Sequence, residues 1–471
     1  MTHVRLPGGG RPSRASVGVR ARRGLWLLLA GFGLAVALPA TAALDFEDPA
    51  SRLQRHELDN GLTVLLLEDH ATPIVSFQIW VKAGSKDETR YTGIAHLFEH
   101  MMFKGSENIE PERHAQLIGA RGGRINAFTS RDVTVYFEDV PREALPLVID
   151  LEAERFSNLA IGQPMLESER EVVLEERSMR TEDNPGGRAF EALGALVWQA
   201  HPYRWPVIGW RSDVANVTVE ACQEFFDAYY APNNLVVAVA GDFDPEETLE
   251  RIRLRFGSMK PSTIVRSPTV EPEQRGERRG VVEFDLRSPV LMAGWHAPPA
   301  GHADANALDV ASQILSDGRS SRLYRKLVDE EAKALYAWGG YWELQEAGLF
   351  YASAGVRPGV PVEEVEALLL AELERIKTDG VTPEEVAKAK RQLEVRLIGG
   401  LTTAHSLASR IGRDTVTFDR VRPLEERLEG IAAVTPEDVQ RVVSTYLGDT
   451  TRTVVHVIAP PPTAADGEET E

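Results

Sequence analysis

Residues 217–240 read VTVEACQEFFDAYYAPNNLVVAVA, and residues 434–457 read VTPEDVQRVVSTYLGDTTRTVVHV. The two stretches align without a gap at an offset of 217 residues. In each, a threonine (Thr218, Thr435) stands where a helix N-cap accepts the first free amides, and acidic residues follow where the helix dipole favours them. Apolar spacing carries a helix to Tyr229 in one copy and to Tyr446 in the other. A turn follows, at Asn233-Asn234 or Gly448-Asp449, and then a β-branched run, 235–240 or 453–458, that reads as a strand. A repeat of this kind inside one chain implies a duplicated α+β unit.

Further out, periodicity breaks between Gly257 and Gly280, where Pro261, Pro272 and Gly276 punctuate a Glu-Arg-rich stretch. The expected organisation is a leader over 1–43, a first domain over 44–257, a linker over 258–280, a second domain over 281–460 and a disordered acidic tail over 461–471. In the first copy, residues 62–67 and 74–81 read as strands joined by a turn containing His70. Residues 125–137 alternate apolar with polar side chains, as one half-buried strand would. Helical patterns follow near 144–158 and 165–180. More than four hundred residues exceed the usual size of one core. The fold class expected is α+β, with two homologous sandwich-like domains facing one another across a cleft.

The first 43 residues carry six arginines and no acidic residue, then an apolar run over 24–38 and an Ala40-Thr41-Ala42 cleavage signature. That is the layout of a secretory signal, with a run short for a spanning helix. Export to the periplasm or cell envelope is expected, and retention of the leader as an N-terminal membrane anchor is the alternative. Without the leader's six arginines, the 52 basic and 71 acidic residues become 46 against 71, a balance of −25 that disfavours nucleic acid as a partner. The single cysteine, Cys222, excludes an internal disulfide and reads as a small core residue.

Residues 96–100 read His96-Leu97-Phe98-Glu99-His100. On a helix His96 and His100 stack at i and i+4, where two imidazoles can grip one metal ion, and Glu99 lies close enough to reach a water on it. Such a site needs one more anionic ligand. The segment 167–180, ESEREVVLEERSMR, offers Glu176, with Glu169 two turns earlier on the same face. Glu171 and Glu175 are expected to point elsewhere. On spacing alone this helix could equally be a solvated acidic face.

The chain resembles the inverzincin peptidases of the pitrilysin, or M16, family, particularly the short branch that includes bacterial proteases and the mitochondrial processing peptidase. The resemblance rests on the His96–His100 motif preceded by Gly93 and followed by Phe103-Lys104-Gly105-Ser106. It extends through Asn126-Ala127-Phe128-Thr129 with Thr134 and Tyr136, Glu169-Arg170 through Glu175-Glu176, Ala231-Pro232-Asn233-Asn234 and Gly241-Asp242. It implies a zinc metalloendopeptidase in which His96, His100 and Glu176 bind Zn2+, Glu99 is the general base and Glu169 supports the ligands from behind. It also implies that extended peptide adds a strand along Arg124 to Ala127, making Asn126 and Ala127 substrate-binding residues.

The second copy departs from the first. At the same offset His96 corresponds to Gln313, His100 to Asp317 and Glu176 to Leu393, so no second metal motif exists. Relatives carry, in this half, an arginine seven residues before a tyrosine that reaches the substrate. Tyr336 matches the tyrosine, but Asp329 stands in the arginine's place, with Arg322 and Arg325 out of phase. The expectation is a heterodimer with an M16-like partner that supplies the Arg-Tyr pair. A homodimer borrowing Arg322 or Arg325 is the milder alternative, and a non-catalytic assembly subunit is the competing function. The aromatic stretch 201–206 reads as a loop packing near the cleft, while His70, His302 and His456 stand in no partner pattern and read as ordinary.

Overall fold

The computed structural model describes residues 48–266 and 269–461. The expected leader, and the tail beyond residue 461, lie outside the described residues. The fold consists of two sheets, each layered with helices, as the α+β duplication requires. The first has six strands: β1 (Gln54–Glu57), β2 (Thr63–Glu68), β3 (Ile74–Val81), β4 (Arg124–Thr129), β5 (Thr134–Pro141) and β6 (Leu235–Gly241). The second has five: β7 (Arg278–Glu283), β8 (Val290–Ala297), β9 (Ala334–Trp342), β10 (Gly348–Val356) and β11 (Arg452–Ile458).

The orders are β1-β2-β6-β3-β5-β4 and β7-β11-β8-β10-β9. Removing β1 makes the two lists superimpose strand for strand. Each contains one parallel pair, β2 with β6 and β7 with β11, and the remaining pairs are antiparallel. The capped helices of the repeat run Val219–Tyr229 and Pro436–Tyr446, with Thr218 and Thr435 accepting amide hydrogen bonds as expected.

The single strand expected over 125–137 is two. β4 and β5 form a hairpin, and the Ser130 hydroxyl accepts the amides of Asp132 and Val133 to close the turn between them. The four consecutive polar residues Thr129, Ser130, Arg131 and Asp132 interrupt the alternation at this turn, and apolar positions resume at Val133.

Six helices matter for the site and its counterpart: α1 (Ile94–Met101), α2 (Gln163–Arg177), α3 (Pro185–Val197), α4 (Ala305–Ser316), α5 (Pro383–Gly399) and α6 (Ala404–Phe418). One face of the first sheet packs on α1, α2 and the helix Leu145–Ser157, around Phe77, Phe98, Tyr136 and Phe156. One face of the second packs on α4 and α5, around Trp295, Phe350 and Leu369.

The opposite faces are covered reciprocally. From the second half, α6 lays Leu407, Ala408 and Ile411 over Leu65, Trp80 and Val236 of the first sheet. From the first half, α3 lays Ala189 and Leu193 over Val290, Met292 and Val455 of the second. Both contacts are close, and the one at α6 needs glycine. A Cβ on Gly412 of α6 would meet the Trp80 indole at 2.2 Å, and one on Gly294 of β8 would meet Leu193 at 3.2 Å. Each half therefore completes the other's core.

The stretch 201–206 belongs to the joint between halves. Tyr203 donates to Asp132, and His201 pairs with Glu346 at 3.0 Å. Lys86 bridges Asp132 and Glu346, each at 3.0 Å. Cys222 is fully buried in the first core, as expected.

Candidate metal centre

α1 begins at Gly93, whose φ of 86° is easy for glycine, and a Cβ there would strike the Ile208 carbonyl at 2.6 Å. The buried Glu88 carboxylate accepts the Ala95 amide at 3.0 Å, satisfying one free donor of the first turn. Ile94, Leu97, Phe98 and Met101 then fall on one face and enter the core. His96, Glu99 and His100 are left on the other face, as 3.6-residue periodicity dictates. That face packs against α2, where Leu166, Glu169 and Val173 form the buried stripe and Glu176 lies at its edge.

Three side chains meet between these helices. Glu176 Oε2 lies 3.6 Å from His96 Nε2 and 3.4 Å from His100 Nε2. Ligands on a tetrahedral zinc with bonds of about 2.0–2.1 Å stand about 3.3–3.4 Å apart, so the spacing suits one ion. Glu176 Oε2 is buried and hydrogen-bonded to nothing, as a donor atom awaiting a cation would be. Burial, then the neighbouring His100, pushes the His96 pKa down to about 4, favouring the neutral imidazole that a metal requires. The adjacent His100 imidazole holds the Glu176 carboxyl below its usual value. Arg180 braces the other Glu176 oxygen at 2.9 Å. Residue types and geometry therefore fit a zinc ion.

Glu169 takes the supporting position the resemblance implies. Its carboxylate is buried, 3.7 Å from His100 Nδ1 and 3.3 Å from Lys104 Nζ. Glu99 is largely buried, which raises its pKa, opposed by a hydrogen bond from the Thr129 hydroxyl at 2.6 Å. An open hollow of about 840 Å³ lies over these groups, lined by His96, Glu99, His100, Asn126, Ala127 and Glu176 among others. Glu171 and Glu175, expected to point elsewhere, also line it. They sit on the exposed side of α2 that faces the opening. β4 is the edge strand of its sheet, and the Ala127 amide donates to the Asn126 side chain at 2.9 Å. Thr129 and Arg180 were missed by sequence reasoning, since neither stands at a ligand spacing.

Tyr336 is not among the residues lining the hollow. It is half-exposed near the start of β9, on the second sheet, against Gly355. Asp329 is exposed, and Arg322 is held by Glu385 through two contacts of 2.7 Å. Arg325 reaches only Glu330, at 3.6 Å.

The second half replaces the metal ligands. Gln313 and Asp317 occupy the α4 positions of the two histidines, and both touch Arg396 of α5. By contact the counterpart of Glu176 is thus Arg396, three residues beyond the expected Leu393. The buried stripe Leu166, Glu169 and Val173 maps onto Val386, Ala389 and Leu393, because the two helices start in a slightly different register.

Among the described residues one further trio of ligand-type groups converges: His114, Glu138 and Glu152, all buried. His114 Nε2 lies 3.4 Å from Glu138 and 3.6 Å from Glu152. Here Arg155 already supplies a fixed positive charge, 2.6 Å from Glu152. One proton balances the remaining carboxylate charge, whereas a divalent ion would overshoot. Burial raises both carboxyl pKa values, as a proton-sharing pair requires. The histidines that stand in no sequence pattern all have carboxylate neighbours: His70 has Asp242 and Glu68, His302 has Asp304, and His456 has Glu366. None of them joins a metal-type cluster.

Comparison with known proteins agrees with this arrangement. A family profile described as Insulinase (Peptidase family M16) matches residues 63–209, and one described as Peptidase M16 inactive domain matches residues 216–393. Zinc protease PqqE of Helicobacter pylori is 31% identical over 414 residues, 86% of this chain and 93% of that protein. An uncharacterized zinc protease of Streptomyces coelicolor is 30% identical, covering 84% of this chain and 87% of its own. The crystal structure of a protease from Helicobacter pylori superposes with a TM-score of 0.84 at 30% identity, over 87% of this chain and 99% of that one. Two matching profiles, relatives named as zinc proteases and a shared two-sheet fold make this chain a member of peptidase family M16.

Proposed function

We propose that the chain is a zinc-dependent endopeptidase acting on extended peptide or protein segments. The observation that carries this reading is the convergence of His96 Nε2, His100 Nε2 and Glu176 Oε2 at 3.4–3.6 Å beneath an open hollow, with Glu99 beside them. His96, His100 and Glu176 would hold a zinc ion, which would supply Lewis acidity toward a peptide carbonyl and a water molecule near neutral pH. Glu99 accepts the proton of the attacking water and returns it to the leaving amine. The free edge of β4 receives the peptide backbone, the substrate carbonyl displacing the Asn126 side chain from the Ala127 amide. Glu169 and Arg180 hold the ligands in place.

The test is metal content measured beside peptide cleavage. The wild-type chain, assayed with and without a partner, is expected to carry one zinc and cleave, while Glu99→Gln is expected to keep the zinc and lose cleavage. Cleavage retained by that variant overturns the mechanism.

We further propose that full activity needs a related partner chain. Asp329 replaces the expected arginine and Arg322 is occupied by Glu385, so this chain offers Tyr336 without its companion. Full activity of the purified chain alone refutes this. The leader supports export to the periplasm or cell envelope, which fractionation and N-terminal sequencing of the mature protein test.

A further inference from the structure

The Glu99 carboxylate has a single hydrogen bond among the described residues, from Thr129 Oγ1 to Oε2 at 2.6 Å. Thr129 is the last residue of β4, on the same face as Ile125 and Ala127, whose side chains pack on the first core beside α1. The donor is therefore rigidly mounted. It is mounted, moreover, on the very strand whose edge carries Asn126 and Ala127.

We infer that Thr129 is a positioning residue for the general base. Its hydroxyl fixes Oε2, leaves Oε1 as the oxygen that takes and returns the proton, and ties the base to the strand on which peptide docks. The rate consequence rests on the peptidase reading, whereas the aim of the carboxylate does not. A threonine suits the position because its branched side chain favours a strand and its hydroxyl supplies the donor. Valine fills the same space and donates nothing, and serine restores the donor alone.

The experiment compares Thr129→Val and Thr129→Ser. Thr129→Val is expected to keep one zinc per chain and KM within about twofold, while kcat falls about 10- to 100-fold, the scale of a hydrogen bond to a charged group. Thr129→Ser is expected to recover kcat to within about threefold. A second readout needs no turnover: crystal structures of the metal-free proteins should hold Glu99 in one rotamer in the wild type and displace it in Thr129→Val. Wild-type kcat in the valine variant, loss of its zinc, failure of serine to restore the rate, or an unmoved Glu99 would each overturn the assignment. If the zinc-loaded wild type cleaves no peptide even with an M16-like partner chain present, the peptidase reading fails, and the rotamer comparison still decides whether Thr129 aims the carboxylate.

Discussion

α1 with α2, and α4 with α5, are one pair of helices built twice, and only the first pair can hold a metal. Where His96, His100 and Glu176 converge in one half, Gln313, Asp317 and Arg396 converge in the other. Two imidazoles and one carboxylate call for a cation from outside. An amide, a carboxylate and a guanidinium need none, because the cation is tethered to the helix. The architecture tolerates this exchange, since Ile94, Leu97 and Phe98 of α1 and Ala311, Ile314 and Leu315 of α4 bury apolar side chains at matching positions. Chemistry in this fold resides on the exposed edge of a helix pair whose packing is settled elsewhere.

The largest effects should fall on the metal half. Glu99→Gln is expected to lower peptide cleavage by about 10²–10⁴-fold with zinc content unchanged. Glu176→Gln should lose both, as metal analysis and a cleavage assay would record. No activity difference should follow from Arg396→Gln in the other half.

Next come the reciprocal helices. Leu193→Ala on α3 and Ile411→Ala on α6 empty equivalent, fully buried positions, and each should cost about 2–5 kcal/mol in denaturant unfolding. If the halves are truly interdependent, both variants lower one shared transition. Two separate transitions would break the comparison.

A smaller effect concerns acid. His201, with Lys86, holds the Glu346 carboxyl down from its usual 4.5 to about 2. A depressed carboxyl pKa adds stability that is fully present above about pH 4.5 and is lost as pH falls toward 2. Glu346→Gln should remove about 1–2 kcal/mol of that dependence, allowing for partial solvent screening, and flatten the melting temperature between those pH values.

The smallest stability change is expected from the tethered cation itself. Arg396 and Asp317 are both substantially exposed, so Arg396→Gln should cost less than about 1 kcal/mol. The combined variant Gln313→His, Asp317→His and Arg396→Glu sharpens the point. It should raise zinc from one to two per chain, and a ratio that stays at one would show that the second scaffold has lost more than its ligands.

The histidine pair was legible in the sequence because helical spacing is local: i and i+4 fix where His96 and His100 stand. The repeat was legible for the same reason, as caps, helix and strand follow one another within about 24 residues of each copy. Glu176 was not singled out by physics alone, since an acidic helix has several candidate faces, and the resemblance selected it. Thr129 and Arg396 were hidden for different reasons. The first contacts Glu99 only through the folding of β4 against α1, and the second emerges only when α2 and α5 are aligned by burial rather than by a constant offset. The hairpin at Ser130 was marked only by the short polar run Thr129 to Asp132, a break that one alternating strand over 125–137 spans.

The exchange of α3 and α6 has a consequence for the covalent chain. Each sheet would present a bare apolar face if its own half were made alone, so the two copies resemble clasped hands more than beads on a string. Cutting the connector between them should leave two polypeptides that remain associated and melt together, because what joins them is the grip of α3 and α6 and not the peptide bond. A copy bound in this way serves the first half by its surface alone, whatever its own helix pair can or cannot bind.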